Sequence, residues 1–139
     1  MAEQLEAART DDQLREVVAS LWALAVTIED GNISDVDKAL RAAQDALKQA
    51  LERGFVLSFA GNVTFKRNEE MRQAAALAPA GQVLIETDAP YMTPEPFRGA
   101  RNEPSLIGHT YRCVAEARGQ AVEDLAAEVQ ETFGRVFGV

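Results

Sequence analysis

The sequence has one cysteine and one histidine, and this scarcity restricts the chemistry available to the chain. A single cysteine cannot form an internal disulfide or a cysteine-rich metal site, so we interpret Cys113 as a small core residue. No apolar run approaches the roughly 20 residues of a membrane span, and the polar, acidic N-terminus lacks the pattern of a secretory signal. We therefore expect a cytoplasmic protein that does not associate with membranes.

The length and the charge of the chain also restrict its possible fold and partners. At 139 residues the chain is about one domain, and an eight-stranded α/β barrel needs about 250, so a closed barrel within one chain is excluded. The hydrophobic fraction of 47% is that of a globular protein rather than a disordered one. The net charge of −8 argues against broad attraction to nucleic acid, which we do not expect as a partner.

Residues 1–53 contain no proline and repeat apolar residues at helical spacing. The two apolar stripes are Leu14, Val17 or Val18, Leu21, Leu24 or Ala25 and Ile28, and then Val36, Leu40, Ala43, Leu47 and Leu51. We expect Ser34 to be the N-cap of the second helix, with Asp37 as its capping-box partner, and Gly54 to supply a left-handed helix end. The short connection between the stripes predicts an antiparallel helical hairpin, with Trp22 anchoring it to a neighbouring surface.

Beyond Gly54 the helical periodicity gives way to two short apolar runs, "FVLSFAG" and "QVLIETD". Nearly continuous apolar runs are typical of strands covered on both faces, as in parallel sheets. Between them "RNEEMRQAAALAP" predicts a helix with Asn68 as N-cap and Pro79 as its stop. This order predicts a right-handed βαβ unit with parallel strands.

The last part of the chain is a loop followed by two helices. Prolines crowd residues 89–104, which excludes regular structure there. The next helix should run from Ser105 or Leu106 to Ala117 and end at Gly119. The terminal helix has a predicted buried stripe of Val122, Leu125, Val129, Phe133 and Phe137. The predicted fold class is α/β, a helical hairpin (1–53) packed on a small parallel βαβ unit followed by two helices (54–139), in one joint core.

Glu86 and Asp88 stand at the mouth of the second strand, where α/β proteins bind ligands. Residues two apart on a strand project to the same face, and two close carboxylates favour a compensating cation. This is the physical case for a metal. The alternative is structural: Asp88 straps the following loop through an Asx-type hydrogen bond, and Glu86 pairs with Arg98 or Arg101.

Four cationic residues follow the two strands. They are Lys66, Arg67, Arg98 and Arg101, and they lie in loops expected to gather at one edge of the sheet. They could meet a phosphate locally, or they are solvated surface charges.

Three motifs make residues 54–139 resemble the C-terminal third of TatD-type metal-dependent deoxyribonucleases. They are "GFVLSFAGNVTFK", "ETDAPYMTPEPFRGARNEP" and the tail "RVFGV", in the family's order and spacing. The resemblance implies the seventh and eighth strands of a (β/α)8 barrel, with a divalent metal as the family's cofactor. It implies that Asp88 is a metal ligand or the base that activates water, with Glu86 in support.

The family's other metal ligands, which include several histidines on earlier strands, have no counterpart here. His109 matches no family ligand and is expected at a helix start or on the surface. A hydrolase site typically takes at least three protein ligands, so we expect no bound cofactor and interpret Asp88 as vestigial.

Residues 1–53 resemble instead a helical stretch of large alphaproteobacterial membrane-anchored proteins of unknown function. The words "LWALAVTIEDGNISDVDKALRAAQDALKQALERG" carry this likeness, and "ALERG" suits both families. A junction at a segment that suits both families predicts a chimera, engineered or recombined. We expect such a chimera to act as a scaffold without evolved activity. The alternative is a residual metal-dependent hydrolase or nucleic-acid binder that uses Glu86, Asp88, Arg98 and Arg101.

Two parallel strands alone leave both sheet edges unpaired. We expect the hairpin to cover the exposed face and two copies to associate, which predicts a homodimer. A third hypothesis is a helical module that binds a partner through the hairpin seam.

Overall fold

A computed structural model of the protein describes the backbone of residues 33–139 and the side chains of residue 38 and residues 41–139. The chain divides into two compact units, residues 1–55 and residues 56–139. The first helix of the predicted hairpin lies outside the described residues, as does Trp22. The hairpin, its packing and the joint core therefore stay predictions.

The described part of the first unit is helix α1, Ile33–Glu52. Its buried side chains are Ala43, Ala46, Ala50 and Leu51, whereas Leu47 is half-buried. The helix ends as the sequence predicts, because Gly54 adopts a left-handed conformation with φ +82°. The Gly54 N–H donates to the Leu51 carbonyl at 2.9 Å and the Phe55 N–H to the Ala50 carbonyl at 3.1 Å, which is a Schellman motif.

The second unit is an α/β fold around two parallel strands. Its elements are β1 (Leu57–Phe59), a 3₁₀ turn (Gly61–Thr64), α2 (Glu69–Leu77), β2 (Val83–Ile85), a 3₁₀ turn (Pro104–Leu106), α3 (Ile107–Arg118) and α4 (Val122–Phe137). Leu57 pairs with Val83 and Phe59 with Ile85. The parallel pair joined by α2 confirms the predicted strand–helix–strand order, although both strands are shorter than their apolar runs. Within residues 33–139 the sheet has two strands and is not closed.

The core of this unit lies on one face of the sheet. The largest contributions come from Phe59 and Val83 on the strands, Val63 after β1, Val114 on α3 and Leu125 on α4. On the opposite face Ser58 is exposed and Leu84 is half-buried. Within the described residues of this unit the second face is only partly covered, and its coverage by the hairpin stays a prediction.

A buried ion pair connects the helices. The Arg118 guanidinium donates to the carbonyls of Ala75 at 2.9 Å and Ala78 at 2.6 Å, so it caps the end of α2. It also lies 3.0 Å from the Glu128 carboxylate, which accepts the Gly81 N–H at 3.2 Å. One residue of α3 therefore joins α2, α4 and the turn before β2.

Two details of the helices differ from the predictions. Asn68 stands at the N-cap of α2, but its amide donates to the Asn62 carbonyl at 2.9 Å instead of capping the helix. The predicted stripe of α4 holds for Leu125 and Val129 but is wrong for Phe133 and Phe137, which are 47% and 59% exposed. Thr132 is buried in their place, and its hydroxyl donates to the Glu128 carbonyl at 2.8 Å.

Candidate functional site

The candidate site is the segment after β2, which begins with Glu86 and Asp88. The Glu86 N–H still donates to the Phe59 carbonyl at 2.9 Å, but the strand ends at Ile85 and Asp88 is left-handed with φ +54°. Strand alternation therefore does not extend to Asp88, and the prediction that both carboxylates project to the same strand face is wrong. Both residues are exposed, and within residues 33–139 neither carboxylate has a hydrogen bond or an ion pair.

A turn carries the chain away from Asp88. The Asp88 carbonyl accepts the Tyr91 N–H at 2.8 Å, and the Ala89–Pro90 peptide inside this turn is cis, the arrangement of a type VI turn. The Ala89 N–H donates to the Thr87 hydroxyl at 3.3 Å, so Thr87 rather than Asp88 makes the local side-chain contact. The alternative interpretation of Asp88 as the strap of its own loop is therefore wrong.

Asn102 is the residue that fastens this loop. Its side-chain amide donates to the carbonyls of Thr87 at 2.7 Å and Tyr91 at 2.6 Å, and its N–H donates to the Pro90 carbonyl at 3.1 Å. Asn102 is 4% exposed, so these bonds are shielded from water. This role of Asn102 could not be predicted from the sequence. Its two side-chain partners lie 11 and 15 residues away, and no local sequence pattern indicates them.

The two loops after the strands pack together at this end of the sheet, as the sequence predicts. The Glu95 N–H donates to the Thr64 hydroxyl at 2.8 Å, which connects the second loop to the first. At Gly61 the backbones approach so closely that a Cβ atom would lie 1.9 Å from the Met92 carbonyl oxygen. The loop that carries Asp88 therefore packs closely against the loop after β1.

The cationic residues of these loops do not neutralise the carboxylates. The Arg98 guanidinium lies 4.2 Å from the centre of the Phe65 ring, a cation–π contact that joins the two loops. Arg101 is exposed, and within residues 33–139 it has no ion pair. The predicted pairing of Glu86 with Arg98 or Arg101 is wrong. Lys66 and Arg67 are also exposed, after β1.

The remaining candidate residues lie away from Asp88. His109 is in the first turn of α3, as expected, and its ring makes an edge contact with Phe97 at 5.2 Å between centroids. The Cys113 thiol donates to the Val63 carbonyl at 3.6 Å. Burial raises the pKa of Cys113, and the nearby Arg72 opposes that rise.

The described residues do not fit a complete divalent-metal site. Across residues 33–139 no group of three or more histidine, cysteine, aspartate or glutamate side chains could hold a metal ion. Two carboxylates at one strand end fall short of the ligand number that a hydrolase metal needs. Asp88 and Glu86 could supply only part of such a site.

Both parts of the chain match known family models. Residues 40–138 match the family model "TatD related DNase", and residues 1–76 match a domain of unknown function, DUF4175. The second match assigns no activity, so the resemblance to alphaproteobacterial membrane-anchored proteins stays a prediction. Within the described part of the chain, no helix is long and apolar enough to cross a bilayer.

Curated relatives of the chain are named as metal-dependent hydrolases or as an exonuclease. The chain is 40% identical over 89 residues to the uncharacterized metal-dependent hydrolase YcfH of Escherichia coli K12, covering 64% of this chain and 34% of the relative. It is 38% identical over 92 residues to the uncharacterized metal-dependent hydrolase TatD of Mycobacterium tuberculosis, covering 66% and 35%. It is 33% identical over 102 residues to the 3'-5' ssDNA/RNA exonuclease TatD of Erwinia amylovora, covering 70% and 39%.

A solved structure agrees with these matches. The TatD homologue YJJV of E. coli K12 superposes with a TM-score of 0.60 at 25% identity, over 72% of this chain and 37% of that chain. The chain spans about a third of the length of the curated relatives it matches. Its small parallel sheet is similar to part of the TatD barrel fold. Over residues 40–138 the chain belongs to the TatD related DNase family.

Proposed function

We propose that this chain carries the last-strand aspartate of a TatD-type metal site, Asp88, and that alone it does not hydrolyse phosphodiesters efficiently. One observation supports this most directly. Asp88 holds an exposed carboxylate without a partner among the described residues, on a loop that Asn102 and the contacts at Gly61 keep in position. A carboxylate held ready in this way can act as one metal ligand.

The count of ligands limits activity in isolation. The sequence has one histidine, and His109 contacts Phe97 rather than a carboxylate. A divalent hydrolase site usually takes three protein ligands or more, which polarise the water and orient the phosphate. Glu86 and Asp88 supply at most two, so we expect weak metal binding at best.

We also propose that the chain is a fusion of two unrelated sequences, which acts as a scaffold in isolation. The matches to the TatD related DNase family and to DUF4175 share residues 40–76. This overlap contains the "ALERG" word at the end of α1.

A residual hydrolase or weak nucleic-acid binder is the second candidate. Exposed Arg98 and Arg101 on the same loop as Asp88 favour it, because cations near a metal-binding carboxylate can hold a phosphate. In this function Glu86 and Asp88 would bind the metal and the two arginines the substrate backbone.

A nuclease assay separates the two candidates. The purified full chain is incubated with single-stranded DNA and Mg²⁺, Mn²⁺ or Zn²⁺, beside Asp88→Asn and the control Asp124→Asn, an exposed carboxylate on α4. We expect no turnover above buffer in any sample. Turnover that disappears in Asp88→Asn and persists in Asp124→Asn would refute the first proposal and support the residual hydrolase.

A further inference from the structure

An apolar groove of about 480 Å³ lies beside β2, and we name it the β2 groove. Its apolar and aromatic lining consists of Leu84 and Ile85 of β2, Tyr111 of α3, and Val129, Phe133 and Phe137 of α4. The Phe133 and Phe137 rings lie 4.5 Å apart between centroids and are 47% and 59% exposed. Of the described residues that line the groove, only Glu86 is charged at neutral pH. An exposed aromatic surface with so little charge typically marks a contact with another apolar surface.

The edge of β2 that faces away from β1 is unpaired. The Glu86 N–H donates to the Phe59 carbonyl at 2.9 Å, so the even-numbered residues of this segment direct their backbone groups towards β1. The backbone groups of Val83 and Ile85 therefore point to the opposite edge. No strand within residues 33–139 occupies that edge. An exposed edge of this kind is a template for pairing with another strand.

The same edge of a second copy is complementary to this one. About a two-fold axis at Leu84 the two β2 strands would run antiparallel, with Leu84 opposite Leu84 of the partner subunit. Val83 of each copy would then face Ile85 of the other, and each such pair exchanges two backbone hydrogen bonds. Glu86 would lie opposite Gln82 of the partner subunit, so like charges do not meet across the axis.

The area that a stable dimer needs requires the groove and the strand edge together. An aromatic side chain presents about 150–250 Å², so the exposed parts of Phe133 and Phe137 supply roughly 200 Å². A stable interface takes about 800 Å² from each partner, and the two rings provide about a quarter of it. The net charge of −8 opposes self-association, but salt screens charges that lie more than about 8 Å apart.

We propose that the chain forms a two-fold homodimer through the outer edge of β2 and the β2 groove. In this dimer β2 pairs antiparallel with β2 of the second copy, and the Phe133 and Phe137 rings are buried. The sequence alone predicts that copies associate, whereas the edge and the groove assign the surface and the register. The proposal does not depend on the role of Asp88.

The mass of the full chain in solution is the first test. Light scattering after gel filtration should give about twice the 15.1 kDa of one chain. A single-chain mass at every loading concentration would overturn the proposal.

A cysteine crosslink tests the register. In a Cys113→Ala background, Leu84→Cys places the new thiol opposite that of the second copy. The Cα atoms of such a pair lie about 4.5 Å apart, within the range of a disulfide. Ser58→Cys in the same background is the matched control, because Ser58 pairs with Leu84 in the sheet. Its own copy would lie three strand spacings away, roughly 14 Å.

Mild oxidation should join the Leu84→Cys chains into covalent dimers and leave the Ser58→Cys chains single. The products are separated on a non-reducing gel. Absence of the covalent dimer in Leu84→Cys, or an equal yield in the control, would overturn the proposal.

Serine substitutions test the groove. Phe133→Ser combined with Phe137→Ser should raise the Kd of the dimer at least about tenfold, because both rings lose their contact with the second copy. Phe97→Ser is the control, since Phe97 is 45% exposed but lies on the loop outside the groove. Dimers of equal Kd in both variants would overturn the proposal. A single-chain mass together with lower stability of the double variant than of Phe97→Ser would overturn it as well, and would assign the groove to a segment of the same chain.

Discussion

Asn102 is a single residue on which the candidate loop depends. It donates two side-chain hydrogen bonds and one backbone hydrogen bond to carbonyls between Thr87 and Tyr91. Its buried amide has two N–H donors, and both are used, so no other residue type of this size meets the same geometry. The position of Asp88 follows from these bonds rather than from any contact of its own carboxylate.

Replacing Asn102 should loosen this loop. We expect Asn102→Ala to lower the free energy of unfolding by about 1–2 kcal/mol, since each lost hydrogen bond contributes about 0.5–1.5 kcal/mol. Asn102→Asp should cost at least as much, because a carboxylate oxygen cannot donate to the Thr87 and Tyr91 carbonyls. Urea denaturation followed by circular dichroism measures both. Unchanged stability in both variants would contradict the role of Asn102.

The environment of the Cys113 thiol predicts how its reactivity depends on pH. Burial raises its pKa above the ordinary value of 9.0, and Arg72 lowers it less than burial raises it. The thiolate is the reactive form, so Ellman's reagent should react more slowly with the native chain than with the chain unfolded in urea. The midpoint of the rate against pH should lie above 9.0 in the native state. A native midpoint at or below that of the unfolded chain would contradict the burial of the thiol.

The raised pKa of Cys113 also determines how the free energy of unfolding changes with pH. Above pH 9.0 the unfolded thiol loses its proton while the native thiol keeps it, so the unfolded state binds fewer protons. The free energy of unfolding should therefore fall as pH rises from that value to the native pKa. Cys113→Ala, which removes the titrating group, should reduce this fall.

At the scale of elements, the Arg118–Glu128 pair holds the helices together. Its side chains are 7% and 16% exposed, and Arg118 also caps α2 through two carbonyls. The Arg72–Glu69 pair is a useful contrast, because Glu69 is 61% exposed. Removing one partner of a buried pair lowers the stability of the fold more, because the remaining charge is left in a poorly hydrated environment.

We expect Arg118→Met to lower the free energy of unfolding by about 3–5 kcal/mol. Glu69→Gln, the control, should change it by less than about 1 kcal/mol because that pair is screened by water. The double variant Arg118→Met with Glu128→Leu should recover part of the loss. Thermal or urea unfolding measures all three. An Arg118→Met protein as stable as Glu69→Gln would contradict the structural role of the pair.

At the scale of the whole molecule, charge opposes contact with nucleic acid. The net charge is −8, and the exposed loop cations, Lys66, Arg67, Arg98 and Arg101, oppose only part of that field. Non-specific binding to DNA depends on phosphate neutralisation and has a Kd of about 10⁻⁴–10⁻⁶ M for proteins that achieve it. The chain alone should be weaker than this range.

Fluorescence anisotropy with single-stranded DNA at 150 mM salt checks that expectation. We expect no saturable binding by the full chain, and no difference between it and Arg98→Glu combined with Arg101→Glu. Saturable binding that weakens with salt and disappears in the double variant would show that the loop is a nucleic-acid surface.

The oligomeric state also belongs to this scale. The homodimer that the sequence predicts stays a prediction. Light scattering after gel filtration tests it, because a homodimer has twice the mass of the single chain.

Some features were predictable from the sequence because they depend on neighbours along the chain. The helix ends at Gly54 and Gly119 follow from the freedom of glycine at positive φ, and both are confirmed. The parallel strands and the irregular loop follow from short apolar runs and clustered prolines. The motif that contains Asp88 is contiguous, so the sequence also placed this residue after the second strand.

Other features were decided only when distant segments packed together. The sequence by itself determined which residues form helices, strands and the loop of Asp88, because backbone conformation is set largely by local sterics and hydrogen bonding. The tertiary structure decided that Asn102 straps the loop, that Arg98 contacts Phe65 and that Phe133 and Phe137 face outward. Each of these depends on partners brought close by packing, so no periodicity along the chain records it.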